Sequence, residues 1–178
     1  MKDHPLLFTT EMVKATLDGR KTQTRRVPIE RYRNWKVGDK IWVRETWLLN
    51  GSANILRMQY KASDSEYRPD DKRWCGRLVS KHAPEHINEA QNMWHKHEKE
   101  IKGYDLSWRP SIHMPKWVAR IWLEITGLRV ENVQDIDAVE AEYEGIRRPK
   151  RLCPDRHDEY IGVKVIEFKI SHMANERR

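Results

Sequence analysis

Ala119-Arg120-Ile121-Trp122-Leu123-Glu124-Ile125-Thr126-Gly127-Leu128-Arg129-Val130 carries the pattern on which the fold turns. Ala119, Ile121, Leu123 and Ile125 put apolar side chains at the odd positions, and beyond Gly127 the even positions Leu128 and Val130 take over. Successive side chains of a strand point to opposite faces, so a period of two marks a half-buried strand. A change of phase at a glycine marks a bulge or bend. The stretch 117–133 therefore predicts a long bent strand, of the kind that suits a closed barrel.

Other segments supply partners for it. Residues 163–170 read as a central strand, with Ile166, Phe168 and Ile170 on one side. Val37-Gly38-Asp39-Lys40 is a turn signal, and Ile41-Trp42-Val43-Arg44-Glu45-Thr46-Trp47 then alternates as a strand with Ile41 and Val43 on one face. Thr10–Leu17 reads as a short helix capped by Thr9 or Thr10, with Met12, Val13, Thr16 and Leu17 sharing a face and Gly19 ending it. Residues 21–26 follow as a loop entering a strand. Asp137-Ala138-Val139-Glu140 resembles a capping box opening a short helix that Gly145 terminates.

The stretch 63–107 is rich in Lys, Glu, His and Asn. Within 84–102, Ile87, Ala90, Trp94 and Ile101 fall loosely on one helical side. We read it as an inserted, partly helical, polar excursion. No repeat or linker divides the chain, and 178 residues fit one domain. The expected class is α+β: a mixed barrel with short flanking helices and that insertion.

Composition narrows the function classes. Lys and Arg outnumber Asp and Glu by 34 to 27, for a formal charge of +7, which favours polyanionic partners or anionic ligands. The eight tryptophans serve in cores, in base stacking or at interfaces, and packing is expected to account for most of them. Cys75 and Cys153 stand alone without a CxxC spacing, so neither a disulfide framework nor a cysteine zinc site is encoded. Pro5-Leu6-Leu7-Phe8 is too short for a signal segment, and no apolar run reaches membrane-spanning length. The expectation is a cytoplasmic protein with no membrane association. His82, His86, His95 and His97 lie in the polar insertion without the three or four converging ligands that zinc requires, so no metal and no cofactor is expected.

Three regions offer chemistry. In Gly19-Arg20-Lys21-Thr22-Gln23-Thr24-Arg25-Arg26, hydroxyls sit among cations. On its residues alone, this segment is most simply a pair of strand threonines following a solvated helix-end lysine. Pro110 and Pro115 bracket Ser111, His113 and Met114, which could wall a pocket and make polar contacts. Arg44 and Glu45 are neighbours on a strand, so at most one faces a given ligand surface; the plainer reading is an exposed ion pair.

Four stretches in order resemble the ASCH family of the PUA-like barrel superfamily. They are Gly19-Arg20-Lys21-Thr22-Gln23-Thr24-Arg25-Arg26; Val37-Gly38-Asp39 with Val43-Arg44-Glu45-Thr46-Trp47; Trp108-Arg109-Pro110-Ser111-Ile112-His113-Met114-Pro115-Lys116-Trp117; and Ala141-Glu142-Tyr143-Glu144-Gly145-Ile146. The tail departs from the family: Cys153-Pro154-Asp155-Arg156-His157 occupies the region where such proteins often carry a Trp-Asn-Pro-Trp type of sequence. The resemblance implies a barrel with a cleft and a connection to RNA metabolism. Some small members hydrolyse the amide of N4-acetylcytidine and related N4-acylated cytosine nucleosides with a lysine, a threonine and a glutamate. The matching positions are Lys21, Thr24 and Glu144, and Arg20, Arg26, Arg44, Glu45, Ser111 and Met114 are the expected substrate contacts.

The chemistry imposes a geometric condition. A threonine hydroxyl needs a neighbour to take its proton, and a lysine can do so only if desolvation or nearby cations lower its pKa from about 10.4. Arg20, Arg25 and Arg26 are candidates for that effect, although the same arginines could bind phosphate. A regular strand from 21 to 24 would put Lys21 and Thr24 on opposite faces, so the chain must turn at or before Thr22. The expected partner is a small modified nucleoside, with no protein partner implied. A non-catalytic RNA-binding module and a metal-independent ribonuclease are the alternatives.

Overall fold

The computed structural model describes residues 1–26, 29–52, 55–66, 77–100, 108–132 and 162–173. In chain order these form β1 (Asp3–Leu7), α1 (Thr10–Leu17), β2 (Gln23–Arg26), β3 (Lys40–Arg44), β4 (Trp47–Ser52), β5 (Ile55–Tyr60), β6 (Arg77–Leu78), α2 (Val79–His82), α3 (Ile87–Glu100), β7 (Ile121–Asn132) and β8 (Gly162–Met173). Two sheets result: a five-stranded one in the order β1-β3-β7-β8-β2 and a three-stranded one in the order β4-β5-β6. β1 runs parallel to β3, and the other ladders are antiparallel. The architecture is α+β, with the larger sheet curled into a half-barrel. Its edges are β1 and β2, and Arg26 of β2 reaches across to donate from Nη2 to the Leu7 carbonyl at the end of β1, 3.0 Å away.

The phase change in β7 has the expected cause. Ile125 pairs with Phe168 and Gly127 with Glu167, so Thr126 is an extra residue in the ladder. A Cβ at Gly127 would meet the Glu167 carboxylate, which would have to move aside from its present position against the bend. β8 is central, as its apolar run predicts, lying between β7 and β2 with Val163, Val165, Ile166 and Phe168 buried. α1 also forms within its expected limits: the Thr9 hydroxyl accepts from the Met12 N–H at 3.2 Å, and Gly19 follows at φ +73°.

Two cores hold the sheets. Leu6, Val13, Ile41, Leu123, Ile125, Ile166 and Phe168 belong to the first, and Trp47, Met58, Tyr60, Val79, Ala90, Met114 and Val118 to the second. Each fully buried aliphatic side chain contributes roughly 1.5–3 kcal/mol, so neither cluster is a minor annex. The stretch 63–107 supplies β6, α2 and α3. Val79 and Ala90 are buried in the second core, with Ile87, Met93 and Trp94 packed against it. It therefore builds core as well as polar surface. Ile101 and the helix expected at 137–145 lie outside the described residues. Among the described residues no helix is long and apolar enough to cross a membrane.

The strand expected over 41–47 is shorter. β3 ends at Arg44, Glu45 and Thr46 belong to no strand, and Trp47 opens β4 in the other sheet. The alternation is real, but it is interrupted where the chain changes sheets. Entry into β3 is set by the turn at Gly38 (φ +87°) and by Asp39. One Asp39 oxygen accepts the Lys2 N–H at 2.8 Å, and the other accepts the Lys36 N–H at 3.1 Å and lies 3.0 Å from His4 Nε2.

These contacts, the His4 hydrogen bond foremost, lower the Asp39 pKa from 3.8 to about 2. Between those values the unfolded chain binds more protons than the folded one. The stabilisation from Asp39 is therefore complete above 3.8 and is lost as pH falls through about 2. Thermal melts across that window should show the wild type losing stability more steeply on acidification than Asp39→Asn; equal slopes would show that Asp39 is not the group responsible.

Candidate functional site

The chain leaves α1 by closing back on it. Gly19 N–H donates to the Thr16 carbonyl at 3.0 Å and Lys21 N–H to the Ala15 carbonyl at 2.9 Å, so the Lys21 backbone is tied to the helix end. The Phe168 N–H donates to the Thr22 carbonyl at 2.8 Å, and β2 begins at Gln23. Lys21 thus precedes the strand, and the geometric condition for Lys21 and Thr24 to share a side is not violated. Thr24 pairs with Ile166 and shares its face, which is the face of the first core, and its exposure is 0%. Lys21 is half-buried.

The arginines around this pair have other engagements. Arg20 is exposed and bound to Asp18 at 2.7 Å. Arg25 alternates to the face opposite Thr24, where its Nε donates to Glu131 at 3.0 Å. Glu131 also accepts from Arg129 at 2.7 Å, and Arg129 continues to Glu167 and to Gln23. Burial alone would raise the Glu131 pKa, but the hydrogen bonds from Arg129 and Arg25 bring it below its ordinary value. Arg26 lies with its guanidinium 5.7 Å from the Phe8 ring centroid and donates to the Leu7 and Arg25 carbonyls. Of the cations expected to act on Lys21, Arg25 is directed to the far face and Arg26 closes the sheet edge.

The second expected group does converge. Arg44 donates to the Ile112 carbonyl, and the Glu45 N–H donates to Met114 Sδ at 3.2 Å, so Arg44, Glu45 and the turn Ser111–His113 with buried Met114 form one locus. Yet Glu45 is no exposed partner of Arg44. It is 1% exposed and bound through both oxygens by Arg120, itself 4% exposed, with Nε–Oε1 at 2.8 Å and Nη2–Oε2 at 3.0 Å. Arg120 Nη1 donates to Ser63 Oγ at 2.8 Å, and the guanidinium lies 4.2 Å from the Tyr60 ring centroid. Tyr60 Oη donates to the Val118 carbonyl at 2.6 Å and accepts from Arg77 Nη1 at 3.2 Å.

Arg120, Tyr60, Arg77 and Ser63 were not singled out by the sequence. The available signal was Arg120, a charged residue set between Ala119 and Ile121 in an apolar run, and a lone Glu45 elsewhere to match it. Glu144 lies outside the described residues, as do Cys75, Cys153 and His97's side chain. The chain matches no family model, no curated protein and no solved structure.

The Glu45–Arg120 pair makes a stability prediction. Arg120→Ala leaves a buried carboxylate without its partner and should cost about 3–5 kcal/mol in denaturant unfolding. The double change Glu45→Leu with Arg120→Met should recover most of that loss. A double variant as unstable as Arg120→Ala would contradict the argument that the penalty is an uncompensated charge.

Proposed function

We propose that the protein is an amidohydrolase of N4-acylated cytosine nucleosides, N4-acetylcytidine being the reference substrate, built on a PUA-like barrel of the ASCH type. The observation that carries this reading is the exit from α1: Lys21 is pinned to the helix end and β2 starts only at Gln23, so the lysine and Thr24 are not forced apart by strand alternation. The ordered motifs at 19–26, 37–47, 108–117 and 141–146 support it further.

In this mechanism Thr24 Oγ1 attacks the acyl carbonyl carbon and its proton passes to the neutral Lys21 amine. Glu144 holds the resulting Lys21 ammonium, takes its proton and delivers it to N4 as the C–N bond breaks, so cytidine leaves, Lys21 is neutral again and the acyl group remains on Thr24. Water then attacks that ester as Lys21 takes its proton, and Lys21 returns that proton to Thr24 Oγ1 as the acyl–oxygen bond breaks and the carboxylic acid leaves to ionise in solvent. The buried position of Thr24 excludes bulk water from the nucleophile and strengthens electrostatic interactions there. Arg20 and Arg26 lie at the two ends of the motif, and the locus of Arg44, Ser111 and Met114 contributes pocket wall.

Purified protein incubated with N4-acetylcytidine should release cytidine. Lys21→Ala and Thr24→Val should each lower kcat/KM by about 100-fold or more, whereas Lys169→Ala, in a surface pair with Glu124 away from the motif, should stay within a few-fold. Full activity in Lys21→Ala would reject the mechanism. Absence of cytidine release together with salt-sensitive RNA binding would favour a binding module instead.

A further inference from the structure

Arg77 is a buried cation with no neutralising carboxylate beside it among the described residues. It stands on β6 opposite Met58, so its side chain shares the face of Met58 and Tyr60 and enters the second core, with 5% of its surface exposed. Nη1 donates to Tyr60 Oη at 3.2 Å, while Nε is buried and has no hydrogen-bond partner. Tyr60 offers no countercharge: burial pushes its pKa up to about 12 and keeps it a neutral phenol. The carboxylate of the same network, Glu45, is held through both oxygens by Arg120. Among the described residues no carboxylate pairs with Arg77.

Buried guanidinium groups are ordinarily paired, because desolvation is costly without an anion. The group's chemistry says what would fit. Nε and Nη2 lie side by side along one edge of the planar fork, and two parallel N–H donors match two oxygens of one oxyanion. Tyr60 occupies the other end, at Nη1, and so holds the fork in place while leaving that edge directed elsewhere. The surroundings add positive charge, since Lys81 and His82 follow on α2. His82 has its pKa lowered by burial first and then by Arg77 and Lys81, which registers the positive potential at this point.

We propose that Arg77, steadied by the Tyr60 hydroxyl, binds a phosphate-class oxyanion through its Nε edge on the inner side of the three-stranded sheet. The phosphate is either free or carried by a nucleotide. This site goes beyond the amidohydrolase reading and does not depend on it: none of its residues belongs to the Lys21, Thr24 and Glu144 set.

The test is a titration of the full chain with inorganic phosphate and, separately, cytidine 5′-monophosphate, at constant ionic strength kept with chloride. Affinity is read by calorimetry, and the Arg77 Nε–H and His82 ring resonances by NMR. Saturable binding should move the Arg77 Nε–H resonance, and by offsetting the Arg77 charge it should shift the His82 titration to higher pH. Tighter binding of the nucleotide identifies a carried phosphate, and equal affinity identifies the free ion. Arg77→Gln should weaken binding by about tenfold or more, and Arg57→Gln on the neighbouring strand should leave it unchanged. Should Arg77→Gln not fold, the wild-type resonances decide. The proposal is overturned if neither ligand moves Arg77 Nε–H beyond what chloride does, or if Arg77→Gln binds like the wild type.

Discussion

The ion pair between Glu45 and Arg120 lies where the chain passes from one sheet to the other. Glu45 follows β3 and precedes β4, and Arg120 immediately precedes β7, so two crossings of the molecule are tied by two hydrogen bonds at 2.8 and 3.0 Å. Because both residues are almost wholly buried, neither charge can be left without the other, and the backbone around them must adopt the path that keeps them together. Met114 is drawn into the same arrangement by the Glu45 N–H, and Ser63 by Arg120. The alternating strand is interrupted after Arg44, at the residue that makes this pairing.

That constraint separates two kinds of chemistry. On the five-stranded sheet, Thr24 lies on the side of the first core and the Lys21 backbone is tied to the end of α1, with Gln23 and Arg25 held on the opposite face by Arg129 and Glu131. In the second core, Tyr60 links Arg120 to Arg77 through its ring and its hydroxyl. The turn Lys61–Glu66 packs against α1, and the Ser63 hydroxyl within it reaches Arg120. The helix that leads into the Lys21 motif and the buried ion pair therefore share one supporting element.

Much of the framework was legible from local pattern. The phase change at Gly127, the central position of β8 and the capped helix Thr10–Leu17 each follow from signals confined to a dozen residues or fewer, where alternation or capping has one good solution. The 63–107 stretch was harder, because its few apolar residues are spaced by charged ones. Val79 and Ala90 become core only when β5 and β4 stand beside them. Two long strands in a curled sheet were readable; the switch at Glu45 into a second sheet was not.

By itself, then, the sequence determined the class of fold, the extent of α1 and the presence of β7 and β8, whose strands run over 121–132 and 162–173 where the pattern gave 117–133 and 163–170. These depend on interactions between near neighbours along the chain. Only the tertiary structure decided that Glu45 answers Arg120 across 75 residues, that Arg25 turns to Glu131 across 106, and that Arg77 enters the second core against a neutral phenol. Charge pairing inside a protein acts through space, and a sequence shows which charges exist without showing which of them are buried together.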